Sequence, residues 1–64
     1  MKIQDMRIGQ KLTVSSIHPI AEWRGEEVTI VGLYLGRDDS QNITVLDRCD
    51  NEYDGFTADE FIDA

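Results

Sequence analysis

The chain has 64 residues, with 13 Asp and Glu against 6 Lys and Arg, giving a formal charge of −7 with 41% hydrophobic and 30% charged residues. That length admits one small core and no second domain, and the apolar content excludes a disordered chain, which combines low hydrophobicity with high net charge. The longest apolar run, 28–35, is broken by Thr29, Gly32 and Tyr34 and falls far short of the ~20 residues that cross a bilayer.

The residues after Met1 are polar at once (Lys2, Gln4, Asp5) with no apolar h-region, so a cytoplasmic protein is the expectation. Cys49 is the only cysteine, which removes an internal disulfide framework and fits a reducing compartment. A core this small leaves a folding free energy of only ~3–5 kcal/mol, and self-association is one way to supplement it. Charge is unevenly placed. Residues 1–37 hold five cations and four acids, whereas 38–64 hold nine acids and only Arg48, so one part of the molecule is expected to carry a negative field.

In chain order, Gly9 provides a turn and Lys11-Leu12-Thr13-Val14-Ser15 alternates with Leu12 and Val14 on one face, predicting a strand. His18-Pro19 falls in a loop, where His18 is expected to be solvated. Residues 26–36 form a long apolar strand whose alternation changes phase around Gly32, as where a bulge or bend takes a strand around a corner. Arg37 to Asn42 is a polar hairpin connection and Ile43-Thr44-Val45-Leu46 the returning strand. Tyr53 to Thr57 makes a short strand broken by Gly55, and Thr57-Ala58-Asp59-Glu60 matches the S/T-x-x-E capping box. A single helical turn is expected to follow, packing Phe61 or Ile62 on the end of the sheet. The fold expected is mainly β, a small curved antiparallel sheet or barrel of about five strands with a short C-terminal helical turn.

Ile8-Gly9-Gln10-Lys11-Leu12-Thr13-Val14, Trp23-Arg24-Gly25-Glu26-Glu27-Val28-Thr29-Ile30-Val31-Gly32, and Ile43 to Leu46 with Tyr53 and Phe56 carry a resemblance over residues 8–60. In spacing they resemble the small SH3-like β-barrel superfamily of KOW and Tudor type, although Glu27 stands where glycine is common. The A-L-Y-D-Y stretch and Trp-Trp pair of signalling SH3 domains are absent, so the resemblance implies a fold and not their proline-rich ligands. In size and charge alone the chain also resembles accessory proteins of phages and mobile elements.

Asp50-Asn51-Glu52-Tyr53-Asp54-Gly55 places acids at positions 1, 3 and 5 with glycine at 6, the start of a calcium loop. The pattern then fails, because Thr57 occupies position 8 and Phe61 position 12, with Glu60 one place early. Asp50, Glu52, Asp54 and Glu60 therefore read as an acidic turn ahead of a metal site, and no cofactor is expected. Cys49 and His18 form no evident nucleophile–base pair, and Cys49 is expected to be buried as packing. The glycines are isolated and lack the Lys-Ser/Thr ending of a phosphate loop. Glu26-Glu27 and Asp38-Asp39 are adjacent pairs whose side chains diverge. An enzyme is not expected.

Trp23, between Glu22 and Arg24 and just before Gly25, and Tyr53, between Glu52 and Asp54, are candidate anchors for a partner. With the acids Asp38, Asp39, Asp50, Glu52 and Asp54 they predict a protein-interaction module for a basic surface, without membrane contact. One alternative is a nucleic-acid mimic inhibiting a DNA- or RNA-handling enzyme, with Asp38, Asp39, Asp47, Asp50, Glu52, Asp54, Asp59, Glu60 and Asp63 standing in for phosphates. The other is direct nucleic-acid binding through Lys2, Arg7, Lys11 and Arg24, which the overall charge opposes.

Overall fold

A computed structural model describes residues 2–62 of the chain. It is mainly β, with strands β1 (Lys11–Val14), β2 (Glu27–Leu35), β3 (Gln41–Leu46), β4 (Glu52–Phe56) and β5 (Phe61–Ile62). Three single 3-10 turns accompany them, at Ile3–Asp5, Ala21–Trp23 and Ala58–Glu60. All pairings are antiparallel and join the strands in the order β4-β3-β2-β1-β5, so β4 and β5 are the two edges.

Period-two alternation builds the core. Leu12 and Val14 of β1, Val28 and Ile30 of β2, and Ile43 and Val45 of β3 point to one side and are buried together with Met6, Phe56, Ala58 and Phe61. In a flat sheet four spacings of ~4.8 Å would hold the edges roughly 19 Å apart. Phe56 on β4 and Phe61 on β5 instead have ring centroids 5.5 Å apart. The sheet therefore curls around its apolar side chains. Part of that curl comes from the register shift between Ile30 and Gly32 against β3, the change of phase expected around Gly32. A Cβ on Gly32 would lie 3.1 Å from Thr44 Cβ, so glycine allows the close approach of β2 and β3 there. Gly55 has φ of +85° and donates its N–H to Asn42 Oδ1 at 2.7 Å, tying an irregular β4 to β3.

The capping box forms as expected, with the Glu60 carboxylate accepting the Thr57 N–H at 2.6 Å. The chain does not continue as helix. It turns back into an extended path, and Phe61 and Ile62 pair with Val14 and Thr13. β1 offers an open edge with a bonding register for the two residues, and the Phe61 ring joins the core. The remainder of the expected helical turn, at Asp63 and Ala64, lies outside the described residues.

Two further expectations are corrected. Cys49 is exposed, not buried, because the Asp47 carboxylate draws in the N–H groups of Cys49 and Asn51 at 2.8 and 3.0 Å and turns the segment outward. His18 is 4% exposed rather than solvated. Burial costs the ring little because both nitrogens are satisfied, Nε2 by Glu60 at 2.7 Å and Nδ1 by the Ile20 N–H at 3.0 Å. No helix among the described residues is long and apolar enough to cross a membrane.

Candidate functional site

The segment between β1 and β2, residues 15–26, is a 12-residue excursion held in shape by short polar contacts. The Trp23 N–H bonds to the Ile20 carbonyl at 3.1 Å, closing the Ala21–Trp23 turn, and Arg24 Nε donates to the His18 carbonyl at 2.6 Å. Gly25 N–H and Val14 N–H tie the end of the excursion back to β1 through the Val14 and Glu26 carbonyls, at 3.1 and 2.9 Å. These anchors set Trp23 over the edge of the core.

Its indole stands edge-to-face with two rings of β4. The Tyr53 centroid is 4.7 Å away at an interplanar angle of 86°, and the Phe56 centroid 5.1 Å away at 88°. With the Phe56–Phe61 contact, an aromatic series runs from the core at Phe61 to the surface at Tyr53, which is 39% exposed. Trp23 is half-buried, so the ring is both a packing element and a surface element.

Trp23 and Tyr53 line a cleft of about 210 Å³ whose other walls are Glu22, Glu26 and Asp47. Glu22 and Glu26 flank the aromatic turn, and Asp47 arrives from the β3–β4 connection. Asp47 is held below the usual carboxylate range, first by the Asn51 N–H bonded to it and then, against a smaller desolvation effect, by the Asn51 side chain, the Cys49 N–H and nearby Arg48. Glu26 pairs with the exposed Arg48 guanidinium, 3.4 Å between Oε2 and Nη2. The cleft thus combines two aromatic walls with three carboxylates, surroundings that attract a cation by both ring quadrupole and charge.

Of the residues expected from sequence, the structure brings Trp23 and Tyr53 together. Glu52 and Asp54 flank Tyr53 on β4, exposed, and Asp50 sits in the preceding turn at φ of +62°. Asp38 and Asp39 lie in the β2–β3 connection, at the opposite end of β3 from Asp47 and Asp50. Asp38 is also held below the usual carboxylate value, by its hydrogen bonds to Ser40. Asp39 instead borders a more voluminous surface cleft, about 730 Å³, with Lys2, Gln41 and Asp59 among its lining. That cleft has no aromatic wall. Glu52 and Asp54 lie on the extended strand Glu52–Phe56 and Asp50 in the turn before it, and Glu60 is committed to His18 and Thr57. Among the described residues no cluster of three or more His, Cys, Asp or Glu could hold a metal ion.

Glu22 and Glu26 are not among the site residues expected from sequence, and Asp47 is expected only as one of the acids of the nucleic-acid-mimic alternative, not as a wall of an aromatic cleft. Glu22 had a local signal, its position beside Trp23. The convergence of Asp47 depends on the β2–β3–β4 pairing and has none. No family model matches the chain, and no curated protein or solved structure shows significant similarity to it.

Proposed function

We propose that the protein is a small non-enzymatic interaction module of SH3-like type whose Trp23–Tyr53 cleft docks on a basic surface of a partner protein. The observation that carries this reading is the pairing of two partly exposed aromatic rings with Glu22, Glu26 and Asp47 in one cleft. An aromatic pair supplies contact area with little loss of side-chain freedom, and an acid rim steers a cationic partner and speeds encounter. The −7 charge adds a long-range contribution of the same sign. A curved five-stranded sheet with its loops free suits such a role. The exposed free Cys49 fits a reducing compartment, which we take to be the cytoplasm.

Asp38 and Asp39 lie at one end of β3 and Asp47 and Asp50 at the other, a distribution that favours a local docking cleft over mimicry of a continuous phosphate track. Asp63, also part of that mimicry reading, lies outside the described residues.

The test is affinity capture with the intact chain as bait, at low salt and at about 1 M salt, where the screening length falls to ~3 Å. A partner with a basic surface is expected at low salt, released at high salt, and not captured by Glu22→Lys bait. Capture that ignores salt, or that Asp38→Lys abolishes while Glu22→Lys does not, contradicts the assignment.

A further inference from the structure

His18 is the only histidine of the chain, and its buried ring lies in the segment that carries the Trp23 turn. Its two nitrogens do different work. A backbone amide can only donate, so the Ile20 N–H at 3.0 Å makes Nδ1 the acceptor. The ring proton is then on Nε2, which donates to Glu60 Oε1 at 2.7 Å, while Glu60 Oε2 accepts the Thr57 N–H at 2.6 Å. In this state the imidazole is neutral, and it clasps the β1–β2 segment to the Ala58–Glu60 turn.

A second proton can enter only at Nδ1. It would convert that nitrogen from acceptor to donor, facing the Ile20 N–H donor, and their hydrogen bond would be lost. The Glu60 contact survives and gains charge assistance, so the ring stays and Ile20 is expelled. Ile20 is half-exposed, so its freed N–H can turn to water. The consequence reaches the cleft because the Ile20 carbonyl accepts the Trp23 N–H that closes the Ala21–Trp23 turn. The charged groups facing the ring are Glu60, Asp59 across the small cleft bordered by Ile17 and Pro19, and Arg24, whose Nε holds the His18 carbonyl. Phe56, 6.1 Å from the imidazole centroid, is its aromatic neighbour and also packs on Trp23.

We propose that the Trp23–Tyr53 cleft is proton-regulated, with His18 protonation releasing Ile20 and reorienting the Trp23 turn. The regulatory meaning rests on the docking role of that cleft, but the switch itself is readable without any partner. Histidine is the side chain that ordinarily changes charge between about pH 8 and pH 5.

The intact protein, labelled with 15N, is titrated over that range. The Ile20 amide and Trp23 indole resonances are expected to move with the same midpoint as the His18 ring nitrogens. Ring nitrogens that titrate while Ile20 and Trp23 stand still would overturn the proposal, as would a ring that takes up no proton across the range. In a folded His18→Gln variant the Trp23 emission is expected to lose its transition in this range, and a persisting transition also overturns it. Glu60→Gln, which removes the carboxylate partner of the charged ring, is expected to move the wild-type transition to lower pH; a transition that stays in place counts against the mechanism. A cationic peptide that fails to bind at any pH sinks the docking role and leaves this transition intact, so the two failures are distinguishable.

Discussion

Replacing Ile30 tests the placement of the core most severely. Ile30 is fully buried on β2 opposite Val45, among Val14, Val28 and Ile43, and its N–H and carbonyl are engaged by Gln10 and Gly9. Ile30→Val removes one methylene from a site closed on all sides, at about 0.5–1.5 kcal/mol. For a domain of this size each kcal/mol lowers Tm by roughly 4–8 °C, so a cooperative melt displaced by several degrees is expected. Ile30→Asp puts a carboxylate in the same space with no cation or donor to meet it, a penalty of several kcal/mol. That matches or exceeds the ~3–5 kcal/mol available to a core this small, so the variant is expected to be unfolded at 25 °C. Ile17→Asp is the control, because Ile17 is 86% exposed and surface changes usually stay within about 0.5 kcal/mol. Circular dichroism melts of the three variants decide the matter. A cooperative Ile30→Asp melt within a few degrees of wild type would refute the strand phase and the core built on it.

Glu26→Gln breaks an exposed pair with Arg48; such pairs are worth about 0–1 kcal/mol, so Tm is expected to fall by no more than roughly 8 °C while affinity for a cationic peptide falls, as isothermal titration can measure. Asp47, held below the ordinary 3.8 first by the Asn51 N–H, contributes stability that is fully present above that value and is lost as pH drops through its lower folded value. The Tm difference between wild type and Asp47→Asn is therefore expected to shrink as pH falls below about 3.8, and a difference that stays constant under acid would contradict this. Thr57→Ala removes the hydroxyl of the capping box while Glu60 retains the Thr57 N–H, for an expected loss of ~1 kcal/mol in chemical denaturation.

The local parts of the fold were legible in the sequence. Leu12 and Val14 alternate, the phase change around Gly32 marks the register shift of β2, and Thr57 and Glu60 announce the cap. Each of these is written within a few residues. β5 was not legible, since Phe61 and Ile62 become a strand only because β1 offers them an edge. Burial of His18 depends on Glu60, 42 residues away, and no pattern near His18 signals it. The candidate site divides the same way. Trp23 and Tyr53 stood out as aromatic residues among acids, whereas Glu26 and Asp47 reach the cleft only when β2, β3 and β4 pair. The acids densest in the sequence, at Asp50, Glu52 and Asp54, do not line that cleft.

The docking role is tested most directly by adding a short arginine-rich peptide to the 15N-labelled protein at low ionic strength and mapping the amide and indole resonances that move. The account predicts saturable changes centred on the Trp23 indole, Tyr53, Glu22, Glu26 and Asp47, abolished by high salt. Changes centred on Asp38 and Asp39, or spread evenly over every exposed carboxylate, would contradict it.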